Sequence, residues 1–140
     1  MKPRAVMDTN ILHAAFYSRL GASFELFRRL MKNEWTAAVS NHLIHEYEEV
    51  LKRNAAKLNL SLADVDELLN AICARAEEWN LQDGWNPILS DPDDEPLVQL
   101  AFESSAKKIV TFNLRHLAPA ASLEIELLKP REFLTIVTAP

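Results

Sequence analysis

The chain has 140 residues, and 20 Asp and Glu against 15 Lys and Arg leave a formal charge of −5, which argues against generic affinity for nucleic-acid phosphates. Its 49% hydrophobic and 25% charged residues are ordinary for a globular protein, so a folded chain with a single domain over residues 1–140 is expected. Folding at this length buries on the order of 70% of the surface the unfolded chain exposes, enough for a core without covalent staples.

Ala5-Val6-Met7 is an apolar run too short for a signal-peptide core, and it ends in Asp8-Thr9-Asn10, residue types that favour turns and helix caps. Ile11, Leu12, Ala15 and Phe16 follow at helical spacing, so the chain opens as strand, then helix. Ser23 is read as the cap of a second helix with Phe24, Phe27, Leu30 and Met31 on one face, and Trp35 to Val39 as a strand closed by Ser40. A third helix carries Leu43, Tyr47, Val50 and Leu51 on one stripe and runs into Lys52-Arg53. Ser61 and Asp64 have capping-box spacing for a fourth helix. Its stripe of Leu62, Val65, Leu69, Ile72, Ala76 and Trp79 predicts a long buried face, broken at Gly84-Trp85-Asn86-Pro87. Cys73 lies beside that stripe and is read as a core residue. As the lone cysteine it excludes an internal disulfide and favours a reducing cytoplasm.

Ile88-Leu89 reads as a minimal strand or an extended link. Asp91 to Pro96 is an acidic, proline-marked turn leading into an amphipathic helix with Leu97, Val98, Leu100, Ala101 and Ala106, and with Lys107 and Lys108 near its end. Ile109-Val110-Thr111 reads as a buried strand ending at Asn113. Beyond His116-Leu117, Ala118 to Ser122 is read as a mobile loop, Leu123 to Leu128 as another strand, and Pro130 as the start of a final helix with Phe133 and Leu134. Strands separated by helices predict an α/β fold, with a mostly parallel central sheet flanked by helices on both faces. The two glycines, Gly21 and Gly84, cannot form a GxGxxG or GxxxxGK[ST] loop, which excludes those nucleotide-binding sites. No run of roughly 18 apolar residues occurs, so no membrane span is expected.

Ligands of parallel sheets sit beyond the carboxyl ends of the strands. That rule points to Asp8, to the residues following Val39 and to Asn113. With Glu46 in the first turns of the helix after the second strand and Asp94 opening the helix before the strand that ends at Asn113, three carboxylates and an amide converge on one sheet edge. Carboxylates gathered in one cleft raise one another's pKa, and a hard divalent cation relieves the repulsion; oxygen-only ligation suits Mg²⁺ or Mn²⁺. Asp8 and Asp94 fit helix caps equally well by position. Glu46 and Glu48 both fall near the edges of their helix's apolar stripe, whereas Glu49 points away. His42 and His45 lack a second pair of soft ligands and read as exposed, and Trp35, Trp79 and Trp85 read as buried rather than as base-stacking residues.

Five segments carry a family resemblance: Asp8-Thr9-Asn10; Ser40 to Glu46 leading into Tyr47-Glu48-Glu49-Val50-Leu51; Asp91-Pro92-Asp93-Asp94 running into Leu97 to Ala101; Ile109 to Asn113 followed by His116-Leu117; and Pro130 to Leu134. In this order the chain resembles a PIN domain over nearly its whole length. The resemblance implies a metal-dependent endoribonuclease with a catalytic centre of Asp8, Glu46, Asp94 and Asn113, of which Asp8, Glu46 and Asp94 hold Mg²⁺ or Mn²⁺. It also implies in-line attack of an activated water at phosphorus, leaving 5′-phosphate and 3′-hydroxyl ends. The family typically has Asp at the fourth position; Asn113 keeps a carbonyl oxygen and removes a charge, for which Asp91 or Asp93 can compensate. Thr9 and Asn10 are candidates to orient Asp8 or a bound water, and Arg115 and His116 to contact a phosphate.

The resemblance is nearest to the branch assigned to toxins of prokaryotic toxin–antitoxin pairs. It implies an RNA substrate, an antitoxin whose tail enters the acidic groove, a homodimer and a cytoplasmic location. Two other readings accompany it: a catalytically impaired PIN-like module that binds RNA or protein, suggested by Asn113, and a DNA-directed nuclease of related fold.

Overall fold

A computed structural model describes residues 2–140. In chain order the elements are β1 (Arg4–Met7), α1 (Thr9–Tyr17), α2 (Ala22–Met31), β2 (Thr36–Val39), α3 (Asn41–Arg53), α4 (Leu62–Arg75), β3 (Glu77–Glu78), α5 (Glu95–Glu103), β4 (Lys108–Val110), α6 (Leu114–Leu117), β5 (Glu126–Leu128) and α7 (Pro130–Val137). The five strands form one parallel sheet in the order β3-β2-β1-β4-β5, with Ala5 opposite Ala37 and Val6 opposite Ile109. This is the predicted α/β architecture. Strands β1, β2 and β4 bury every residue after their first, which is why they read as continuous apolar runs rather than as alternating ones.

Two buried aromatic side chains lock the helices to the sheet. Trp35 meets Phe133 of α7 edge to face at 5.1 Å and donates its indole N–H to the Leu26 carbonyl at 2.9 Å, joining α2, α7 and the entry to β2. Tyr47 of α3 is fully buried, and its hydroxyl donates to the Met7 carbonyl at the end of β1. Strand order reverses at β1: the chain steps outward through β2 and β3, then crosses to β4 and β5 on the other side. The crevice between the ends of β1 and β4 is therefore the topological switch point, where ligands of such sheets bind.

Several expected boundaries move. Helix α4 stops at Arg75, and the chain extends to add β3 at the sheet edge, where Glu77 pairs with Ala38, Arg4 grips the Glu77 carboxylate, and the Trp79 N–H reaches the Val39 carbonyl at 2.8 Å. Trp79 is consequently exposed rather than part of a helical core stripe, and Trp85 and Cys73 are only partly buried. Helix α2 starts two residues earlier than a Ser23 cap would place it, with Gly21 at the cap position and Ser23 buried. Helix α5 ends at Glu103, so Lys107 and Lys108 lie in the following turn and in β4. Ile88 and Leu89 form no strand. Residues Ala118–Leu123 form a 3-10 helix that buries Ala120, and this shortens β5 to Glu126–Leu128. By contrast, Ser40 caps α3 and Ser61 with Asp64 forms the expected capping box on α4.

Candidate active site

Asp8 follows β1 at the switch point and precedes α1, yet its side chain makes no cap to that helix. It accepts instead a 2.7 Å hydrogen bond from the Thr111 hydroxyl, across the crevice at the end of β4. Thr111 is fully buried, and its oxygen also accepts from the Asn113 N–H at 2.9 Å, so one hydroxyl ties Asp8 to the Asn113 backbone.

Glu46 reaches the same crevice because α3 is capped by Ser40 and pinned by the Tyr47–Met7 bond, which fixes the helix rotation at the adjacent residue. The Thr9 hydroxyl donates to Glu46 Oε1. Thr9 thus reaches Glu46 through its hydroxyl and the Asp8 carboxylate through its backbone N–H. Asn10 uses its carboxamide oxygen to accept from the Phe112 N–H at 3.4 Å.

Asp94 ends a 3-10 turn, Pro92–Asp94, that leads into α5. The turn is capped by Asp91, whose carboxylate accepts from the Asp93 N–H at 2.9 Å, while Asp94 makes no side-chain cap. Neither capping reading therefore applies to Asp8 or Asp94. The next residue, Glu95, is buried and turns the other way; it accepts from Trp85 Nε1 at 2.9 Å and from the Ile88 and Leu89 N–H groups at 2.6 and 2.5 Å.

Asp8, Thr9, Asn10, Glu46, Asp94 and Asn113 line one open cleft of about 360 Å³, with His13 on its wall. Behind it a niche of about 20 Å³, room for a water, is bordered by Asp8, Ser40, His42, Glu46, Asp93 and Asp94. Asp93 borders only the niche. Asp91 and the exposed Arg115 line neither, and His116 Nδ1 lies 2.7 Å from Asn113 Oδ1 as a donor to that carbonyl. The structure thus brings Asp8, Glu46, Asp94 and Asn113 together and leaves Asp91 and Arg115 outside.

The electrostatics follow from the crowding. Burial raises the Asp8 pKa above its ordinary 3.8, and Glu46 and Asp94 push it further, against the opposing hydrogen bond from Thr111. Burial also raises Asp94, with Asp91, Glu46 and Asp93 adding to the shift and His116 opposing it. None of Asp8, Glu46 and Asp94 takes part in an ion pair among the described residues. Among those residues no three His, Cys, Asp or Glu side chains close into a ready-made metal cage either. An all-oxygen, uncompensated set of this openness suits a hard cation that keeps most of its waters and takes one or two direct carboxylates. Thr111 is the residue the sequence pattern missed: it read as the last residue of an apolar strand, and its signal is that a fully buried hydroxyl requires a partner.

A family profile described as PIN domain matches residues 4–115, a span that holds β1 through β4 and all of Asp8, Glu46, Asp94 and Asn113. Proteins of that family are generally metal-dependent nucleases. No curated protein and no solved structure matches the chain. No helix among the described residues is long and apolar enough to cross a membrane.

Proposed function

The chain belongs to the PIN-domain family, and from that premise we propose that it is a Mg²⁺- or Mn²⁺-dependent endoribonuclease and the toxin half of a toxin–antitoxin pair. Its acidic centre is Asp8, Glu46 and Asp94, with Asn113 at the fourth position. One observation carries this reading: three uncompensated carboxylates, from the end of β1, from α3 and from the start of α5, meet in the switch-point cleft.

When bound, a divalent cation neutralises these carboxylates and supplies an activated water for phosphodiester hydrolysis. The chain's own residues prepare the place. Thr111 holds one oxygen of Asp8 and Thr9 holds one of Glu46, so the protein itself fixes the orientation of both carboxylates. The pKa values of Asp8 and Asp94 are raised because burial and neighbouring carboxylates disfavour the charged form, so neutralisation by proton or cation relieves the cleft.

Asn113 favours a second reading. It brings no charge, and its carbonyl is occupied by His116, so the centre holds a cation less firmly than four carboxylates would. A catalytically impaired module that binds RNA or protein is the corresponding alternative.

The test is cleavage of a mixed labelled RNA pool, and of a DNA pool of the same sequence, by purified protein with Mn²⁺, Mg²⁺ or chelator. Metal-dependent cutting of RNA that vanishes in Asp94→Asn supports the nuclease. RNA binding without cutting moves the protein to the impaired module, and cutting only by Asn113→Asp identifies a weakened centre. The toxin role, the antitoxin, the homodimer and the cytoplasmic location rest on the resemblance to the toxin branch. Growth arrest on expression that depends on Asp94 tests the role.

A further inference from the structure

A second cavity, of about 330 Å³, opens between α1, the starts of α2 and α7, and the segment after β4. Its character is opposite to that of the acidic cleft. No Asp or Glu lines it, its floor is small and apolar, and the ring of Phe112, 51% exposed, forms one wall. Lys129 and Arg131 stand at its rim, exposed and in no ion pair among the described residues. The positive ends of α2 and α7, helices of ten and eight residues, both open onto it. Ser23, at 5% exposure, lines the cavity, and its hydroxyl has no hydrogen-bond partner among the described residues. No enclosed side-chain oxygen among them lacks a partner, so the Ser23 oxygen keeps accessible surface beside the cavity that its residue lines. The nearby acids are engaged: Glu25 is held by Arg28 and Arg29, and Glu132 accepts from the Lys129 N–H at 2.8 Å.

The cavity neighbours the acidic cleft along α1. One face of α1 lines both, with Asn10 and His13 in the cleft and Ala14 and Ser18 in the cavity; from Asn10 to Ser18 the helix rises about 12 Å. Phe112 and Asn113, adjacent in sequence, stand one in each.

We propose that this cavity is a nucleotide subsite for the RNA strand. A base stacks on Phe112 over the apolar floor, and its phosphate is met by Lys129, Arg131, the Ser23 hydroxyl and the N–H groups at the start of α2. The subsite also explains how a chain of net charge −5 captures a polyanion: the attraction is local and sits beside a cleft that repels phosphate until a cation fills it. Only the continuation of the strand into the acidic cleft rests on the nuclease reading.

The test is binding of a short fluorescent single-stranded RNA of mixed sequence, followed by anisotropy in chelator at several salt concentrations. Cleavage plays no part in that readout. Lys129→Glu and Arg131→Glu are each expected to weaken binding about tenfold and to flatten the log–log salt dependence by about 0.7 per phosphate contact removed. Phe112→Ala is expected to weaken it by a similar factor at all salt concentrations. Lys57→Glu, an equal charge change at an exposed site beyond the far end of α3, is expected to alter binding little. Parent protein that binds no RNA in chelator, or a Lys57→Glu loss as large as that of Lys129→Glu, overturns the subsite. Site-specific loss of binding in a protein that never cuts RNA keeps the subsite and overturns the nuclease.

Discussion

Asp94 and Glu95 sit side by side at the start of α5 with the same functional group and opposite employment. Consecutive helical residues point about 100° apart, so one carboxylate enters the cleft while its neighbour enters the protein. Glu95 is the more deeply buried, but three N–H donors satisfy it, and in return it anchors the segment from Trp85 to Leu89. Asp94 has no such donors and faces Glu46 and Asp8. Burial that is answered by hydrogen bonds makes a carboxylate structural; burial beside other carboxylates makes it a seeker of protons or cations.

Exchanging the charge at each position separates the two roles. Asp94→Asn is expected to lower metal-dependent RNA cleavage by at least about a hundredfold while leaving thermal stability equal or higher, because it removes repulsion along with the ligand. Glu95→Ala is expected to do the reverse. It strands three donors, which costs about 3 kcal/mol in urea denaturation, and the molecules that remain folded keep cutting. An Asp94→Asn protein that unfolds readily, or a Glu95→Ala protein as stable as the parent, breaks the contrast.

Thr111 sharpens it one step out from the cleft. Thr111→Val keeps the shape and deletes the hydroxyl that holds Asp8, so cleavage is expected to fall about tenfold and the Mn²⁺ concentration for half-maximal rate to rise. Thr111→Ser restores both if the hydroxyl is what matters. A loss that Ser fails to rescue points to packing of the methyl group instead.

The uneven legibility of this chain has the same physical root as the contrast. Buried parallel strands advertise themselves as apolar runs, and Ser40 and Ser61 announce helix starts by a local rule, so β1, β2, β4 and α3 were readable. The cleft was readable because the sheet rule fixes where strand ends point, and Asp8, Glu46, Asp94 and Asn113 line one space together with Thr9 and Asn10. The stretch from Ala76 to Leu89 was not, because its order is imposed from a distance. Edge pairing with β2 turns Glu77-Glu78 into a strand against any local preference, and Glu95 fixes Ile88 and Leu89 from a helix not yet made when the chain is read in order. The side-chain bonds of Thr9 and Thr111 are hidden for the same reason: their partners lie 37 and 103 residues away.

The smallest expected effect tests the electrostatic half of the contrast directly. A carboxyl whose native pKa is raised binds its proton more tightly folded than unfolded, so its stabilising contribution is complete below the ordinary value of 3.8 and is lost as pH rises through the higher native value. At neutral pH ionised Asp8 therefore works against folding. Asp8→Asn is expected to melt above the parent at pH 7, with the gap closing as pH falls towards 3.8 and the parent's carboxyl takes up its proton. A cation acts on the same charge with the opposite outcome for function, since it favours the ionised form that burial and the neighbouring carboxylates penalise. Millimolar Mn²⁺ is accordingly expected to raise the melting temperature of the parent and to leave that of Asp8→Asn nearly unmoved. A melting-temperature gap that is flat with pH would mean that Thr111 compensates Asp8 fully, and the cleft would then have no electrostatic need of a metal.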